Sequence, residues 1–202
     1  MSAEHSRSVE IELKFDVDAE TPLPDWTSVP GVASVSAPEL RELDARYLDT
    51  DDVALARAGF ALRRRTGGPD EGWHIKGPRG ADGGRVELHW PLQDEIPDAA
   101  TAALSSVTVA PLTPLARIRN QRTAYHLLDA SGGVLAEFVD DHVVATDERT
   151  GVKSSWREWE VELSSVAPAA VESFFAAVTE AVNAAGGRDA ASDSKLARTL
   201  GH

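Results

Sequence analysis

The sequence predicts an α+β protein dominated by antiparallel strands that form a barrel or curled sheet. Three observations carry this reading. Eight segments alternate apolar and polar residues at the period of two that a strand requires, as in Val9-Glu10-Ile11-Glu12-Leu13-Lys14-Phe15. Several links between them are turn-forming: Gly67-Gly68-Pro69-Asp70, Gly80-Ala81-Asp82-Gly83-Gly84 and Ser131-Gly132-Gly133. The polar faces are also sorted by charge. Carboxylates dominate the first and last segments, and cations the third and fourth, while the opposite faces are apolar. That sorting predicts an inside-out barrel, polar within and apolar without, with helices packed outside.

The predicted strands, in order, cover residues 9–16, 44–49, 60–66, 72–77, 85–91, 116–128, 134–147 and 155–163. Helices fit between and after them. Thr50-Asp51-Asp52 offers an N-cap for 53–57, with Gly59 as the stop. Residues 97–105 form a short Ala-rich helix. The longest spans 168–185, with Pro168 in its first turn and Gly186-Gly187 closing it. Its Val171, Phe174, Phe175, Val178 and Val182 recur at helical spacing and predict a face packed on the sheet. A last helix, 194–200, carries Lys195. Residues 1–8 are expected to form a flexible N-terminus, and 9–202 a single domain.

The chain has 202 residues, 42% hydrophobic and 26% charged, values that fit a soluble globular domain with a proper core. It has no cysteine, which excludes disulfides and thiolate metal sites. No apolar run reaches membrane-spanning length and no signal-peptide core is evident, so a cytoplasmic protein without membrane contact is expected. A net charge of −13 argues against nucleic-acid binding. An anionic ligand then requires bases concentrated locally and metal ions on the acids.

Strand parity identifies where those bases lie. Glu10, Glu12 and Lys14 share one face of the first strand. Arg63 and Arg65 lie opposite Leu62 and Arg64, His74 shares a face with Lys76, and Arg85, Glu87 and His89 align. Glu137 aligns with Asp141, and Glu158, Glu160 and Glu162 stack at alternate positions of the last strand. Three like charges in such a row repel, and a divalent cation would relieve them. In the sixth strand Arg119 and Arg122 have opposite parity, so at most one of them faces inward without a bulge, with Arg119 the runner-up; Asp140 and Asp141 pose the same choice. His74 and His89 are read as hydrogen-bonded neighbours rather than ligands, and Tyr47 and the tryptophans as core or rim residues.

The opening Glu10-Ile11-Glu12-Leu13-Lys14 resembles the Glu-x-Glu-x-Lys signature of the triphosphate tunnel metalloenzymes, the CYTH superfamily. Further matches follow in the family's order: Tyr47-Leu48-Asp49-Thr50, Leu62-Arg63-Arg64-Arg65, Trp73-His74-Ile75-Lys76, Arg85-Val86-Glu87, Gln121-Arg122-Thr123, Asp141-His142-Val143, Glu160-Val161-Glu162 and Ser194-Lys195-Leu196. The resemblance implies a closed eight-stranded antiparallel barrel holding a triphosphate with Mg²⁺ or Mn²⁺. It implies Lys14, Arg63, Arg65, Lys76, Arg122 and Lys195 as phosphate ligands, and Glu10, Glu12, Glu87, Asp141, Glu160 and Glu162 as the metal set. Glu10, Glu12 and Lys14 are the implied catalytic group. A small phosphorylated substrate is expected, bound by a monomer or homodimer, with inorganic triphosphate as first choice. Thiamine triphosphate and adenylate cyclisation are the alternatives within the family. The family's thiamine triphosphatases carry an aromatic residue where this chain has Ala61. A non-catalytic polyphosphate- or nucleotide-binding module is the alternative outside catalysis. There is no Gly-rich phosphate loop and no cysteine nucleophile.

Overall fold

The computed structural model describes residues 5–81, 83–164 and 170–202. Its strands are β1 (Ser6–Glu10), β2 (Glu12–Val17), β3 (Ser34–Val35), β4 (Glu39–Asp49), β5 (Ala61–Thr66), β6 (Gly72–Arg79), β7 (Arg85–Trp90), β8 (Thr113–Leu128), β9 (Val134–Asp147), β10 (Lys153–Leu163) and β11 (Arg188–Asp189). The helices are α1 (Ala54–Arg57), α2 (Asp98–Leu104), α3 (Val171–Ala185) and α4 (Lys195–Thr199), with a 3-10 turn at Trp26–Ser28.

All strands join one antiparallel sheet in the order β1-β7-β6-β5-β4-β8-β9-β10-β2-β11, with β3 on β8. The sheet thus has eleven strands rather than the expected eight, and its hydrogen-bonded path ends at β1 and β11 instead of closing into a ring of eight. The difference has two sources. The first expected strand divides at Ile11, so that β1 pairs with β7 while β2 pairs with β10. The two-residue strands β3 and β11 are too short to show periodicity. Ser6–Ser8, expected in a flexible N-terminus, pair with Glu87–His89 of β7. Residues 1–4 lie outside the described residues, as does Pro168 of the predicted long helix.

Apolar side chains cover the outer face in two clusters. Phe15, Phe138, Trp159 and Val161 pack under Phe174, Val178 and Val182 of α3, as the helical spacing predicts. Leu62, Trp73, Ile75 and Trp90 pack under Leu55 of α1 and Ala100 and Leu104 of α2. Fully burying one such side chain contributes about 1.5–3 kcal/mol. Gly186 ends α3 in the left-handed conformation at φ 103°, where a β-carbon would be strained.

Of the expected Thr50-Asp51-Asp52 cap of α1, Thr50 accepts from the helix, and Asp49 adds to it. The buried Asp49 carboxylate accepts from the Leu55 and Ala56 N–H groups, both at 2.9 Å, and the Thr50 hydroxyl accepts from Ala54 N–H at 2.8 Å. Val53, at φ 54°, turns the chain into the helix.

The fourth helix departs from the expectation that helices lie outside. Leu196 of α4 packs with Ala45, Tyr47, Ile118, Val143 and Ala145. These residues share strand parity with the polar inner face, so α4 sits on the cavity side of the sheet. No helix among the described residues is long and apolar enough to cross a membrane.

Candidate active site

Alternation in β4, β5, β6, β8 and β10 turns one side chain in two toward a common cavity of about 580 Å³. Eight cationic side chains line it: Lys14, Arg41, Arg63, Arg65, Lys76, Arg85, Arg122 and Lys195. Six acids join them: Glu10, Glu12, Asp70, Glu137, Glu160 and Glu162. In a chain of net charge −13 the cavity is therefore locally basic. Parity explains the selection. Arg63 and Arg65 face in while Arg64 turns out to bond the Gln93 carbonyl at 3.1 Å.

The two open choices are resolved by the same alternation. Arg122 lines the cavity, with Asn120 and Ile118 at like parity, and Arg119 lies on the opposite, exposed face. Asp141 faces inward at 0% exposure, whereas Asp140 pairs outside with Arg157 at 2.8 Å and accepts from the Trp159 indole at 3.1 Å.

The charges fall into two groups. In the first, Lys195 Nζ lies 2.8 Å from Asp141, 2.5 Å from Glu158 and 2.8 Å from Glu160. Arg122 adds paired contacts to Asp141 at 2.7–2.8 Å and one to Glu160 at 2.8 Å, and Lys14 also contacts Glu160. Burial opposes ionisation of Glu160 and Asp141. The surrounding cations win, holding both carboxyls below their usual range. Reciprocally, burial opposes the charge of Lys195 and Arg122, but Asp141 and Glu160 together with their neighbours raise both well above their ordinary values. Among the described residues these three acids alone bring ligand oxygens within 4.8 Å of one another. An ammonium already sits among them.

The second group is Glu10, Glu12 and Glu162. Glu12 lies directly across the β2–β10 ladder from Glu162, a like-charge pairing that costs stability. Lys76 meets Glu10 at 2.5 Å and Lys14 meets Glu12 at 3.1 Å. Burial, then Glu10 and, less strongly, Glu12 and Glu160, push the Glu162 carboxyl up to about 7 against the pull of Lys76. Burial likewise raises Glu10, against Lys76. Inward carboxylates of this kind are what a hard divalent cation takes, although here Lys76 and Lys14 already pair with Glu10 and Glu12.

Glu87 and Asp141, both in the implied metal set, are not on the cavity lining. Glu87 stands behind it, bonded to His74 Nδ1 and reached by Lys76 at 3.0 Å and Arg63 at 3.6 Å. Burial opposes its ionisation, but Arg63, His74 and Lys76 hold it well below the usual range. His74 also bonds the Asp70 carbonyl through Nε2 at 2.9 Å, and His89 bonds the Glu71 carbonyl at 3.1 Å, so both are hydrogen-bonded neighbours as read.

The basic wall has unused donors. The Nε atoms of Arg63, Arg65 and Arg85 are buried without a hydrogen-bond partner. Burial, Arg63 and Arg122 all work against the charge of Arg65. Tyr47 closes against Arg63; burial works to raise the phenol's value, but Arg63, through its charge and a hydrogen bond, together with Lys76 and Lys195, lowers it. An anion entering here would satisfy these groups.

Sequence reasoning missed Arg41 and His126, which line the cavity beside Glu137. Arg41 grips Glu137 through both terminal nitrogens at 3.1 Å, and His126 lies 3.4 Å from Glu137. The run Glu39-Leu40-Arg41-Glu42-Leu43 does not alternate, since Leu40 and Leu43 have opposite parity, and so it gives no strand signal at the start of β4.

The CYTH domain family model matches residues 8–199. The chain belongs to that family. Two uncharacterized proteins of Mycobacterium tuberculosis, from strains CDC 1551 and H37Rv, are each 37% identical over 211 residues, covering 97% of this chain. The chain spans 41% of the length of those relatives. Among solved structures, a Hippeastrum protein named as an adenylyl cyclase candidate with a dominant triphosphatase activity superposes at TM-score 0.58, with 18% identity and 95% of each chain covered. A Bacillus halodurans protein named as an adenylate cyclase candidate gives 0.58 and 18%, covering 95% of this chain and 97% of its own. The PH1819 protein of Pyrococcus horikoshii gives 0.58 and 16%, covering 95% and 98%. At such identities these structures establish the fold.

Proposed function

We propose that the protein is a divalent-metal-dependent hydrolase that removes the terminal phosphate of a triphosphate, with inorganic triphosphate as the preferred substrate. The supporting observation is a cavity with eight inward-facing cations in a strongly acidic chain. Substrate charge explains why so many cations are gathered against long-range repulsion. The sheet then works as a tunnel whose floor is α4.

The residues divide by chemistry. Arg63, Arg65 and Arg122 offer planar forks that grip phosphate oxygens through two bonds, whereas Lys14, Lys76 and Lys195 act as point charges. Glu10, Glu12 and Glu162 would hold Mg²⁺ or Mn²⁺, with Glu160 at their edge; Glu87 and Asp141 orient Lys76, Arg63, Arg122 and Lys195. When bound, the cation supplies charge neutralisation and a bound water of lowered pKa. Lys14, between Glu12 and Glu160, keeps an ammonium against the reacting phosphates. Together these groups align the triphosphate for in-line displacement and stabilise charge on its oxygens, which is most of what phosphoryl transfer needs.

The test is a product panel with inorganic triphosphate, thiamine triphosphate, ATP and pyrophosphate, each with Mg²⁺ and Mn²⁺. Phosphate release, fastest from inorganic triphosphate, is expected. Cyclic nucleotide from ATP would move the assignment to the cyclase branch of the fold. Tight triphosphate binding with no turnover of any substrate would retire the enzyme in favour of a binding module.

A further inference from the structure

The β5–β6 hairpin carries an acid that the proposed chemistry does not use. Asp70, at its tip, pairs its carboxylate with the Arg65 guanidinium, inside the mouth of the cavity. Arg65 is 6% exposed, and the Asp70 side chain is largely in solvent at its other edge. The backbone around Asp70 is fixed. Its carbonyl accepts from His74 Nε2 at 2.9 Å and from Arg65 at 3.5 Å. Gly67 and Gly68, at φ 80° and 79°, press so closely on β4 that a β-carbon would lie 2.0 Å from the Glu42 carbonyl or 2.8 Å from Leu43. The hairpin therefore delivers the carboxylate to one place, and only the side chain is free to leave it.

From this geometry we propose that Asp70 is an affinity-setting residue: an internal carboxylate that occupies Arg65 until a phosphate displaces it. The inference rests on the reading of Arg65 as a phosphate ligand. A carboxylate is a fair stand-in for a phosphoryl group at a guanidinium fork, and the unpartnered Arg65 Nε remains for the incoming anion. Displacement costs little, because Asp70 turns out into water, where it is already half solvated. The arrangement keeps a buried guanidinium compensated when the cavity is empty. Its consequence is competition: every ligand that uses Arg65 binds more weakly by the same factor, and a ligand that does not reach Arg65 is untouched.

The experiment measures inorganic triphosphate affinity by calorimetry, in chelator and with Mg²⁺, for wild type, Asp70→Asn, Asp70→Ala and Glu71→Gln. Glu71 is a neighbouring acid that bonds Gly67 N–H instead of Arg65, so its variant reports the general effect of removing one negative charge. The Asp70 variants are expected to bind triphosphate on the order of fivefold tighter than wild type, and tighter than Glu71→Gln. Equal or weaker binding than Glu71→Gln by both Asp70 variants overturns the proposal while leaving the triphosphatase reading intact. Absence of triphosphate binding in wild type and in all variants removes both.

Discussion

Replacing Glu162 by Gln should stabilise the metal-free protein at alkaline pH and abolish its response to metal. In the folded state burial, Glu10 and nearby carboxylates push this carboxyl up to about 7. A raised acid binds its proton more tightly when folded, so its contribution to stability is greatest at low pH. That contribution falls as pH rises from the unfolded value through 7 and is gone above it. The full shift corresponds to roughly 3 kcal/mol, of which about 2 kcal/mol is lost between pH ~5.5 and ~8.5. Glutamine keeps the shape and never ionises, so the variant should lack this component. Urea denaturation in chelator at the two pH values, for wild type and Glu162→Gln, gives the difference directly, because histidines and other acids cancel between the two proteins. Mg²⁺ or Mn²⁺ at ~100 times its dissociation constant should add about 2.7 kcal/mol to wild type at the higher pH and little to the variant. Equal metal stabilisation of both proteins, or a variant less stable than wild type in chelator at pH ~8.5, would refute the placement of a cation beside Glu162.

Three further outcomes follow from other contacts. Lys195→Met leaves Asp141, Glu158 and Glu160 without their central ammonium, and thermal melting should show a loss on the order of 3–5 kcal/mol. Asp49→Ala removes the acceptor of two N–H groups of α1 and should cost about 1–2 kcal/mol in denaturant titration, with the product panel unchanged. Arg65→Ala should weaken triphosphate binding by roughly one to two decades, the value of a charge-assisted hydrogen bond, as read by calorimetry.

The sequence's period of two was enough to put Arg63 inside and Arg64 outside, because adjacent strand residues must face opposite ways. The same logic could only pose the choice between Arg119 and Arg122. A bulge or an unseen register shift reverses parity, and the β8 ladder is what decides it. Depth is another quantity that alternation does not carry. Glu87 and Glu10 both point inward, yet one stands behind Lys76 and the other lines the cavity. Arg41 was lost because Leu40 and Leu43 have opposite parity and break the period, and Asp70 because a hairpin tip has no period at all. The helix α4 read correctly as a helix, but nothing in five residues says that it lies against the inner face.

The division of the first strand at Ile11 has a consequence for how the chain reaches this state. Residues 6–17 are made before their partners, which are Arg85–Trp90 and, much later, Lys153–Leu163. Of the two strands, β2 must wait with its hydrogen-bonding edges bare until Lys153–Leu163 has been made. Such long-range pairing is slow, since loop-closure entropy is lost before any contact compensates for it. Meanwhile β2 presents open edges, the kind of surface on which one chain adds to another. The alternating charges of Glu10, Glu12 and Lys14 would then serve before any substrate arrives, as solvated side chains that discourage a stray strand from docking there.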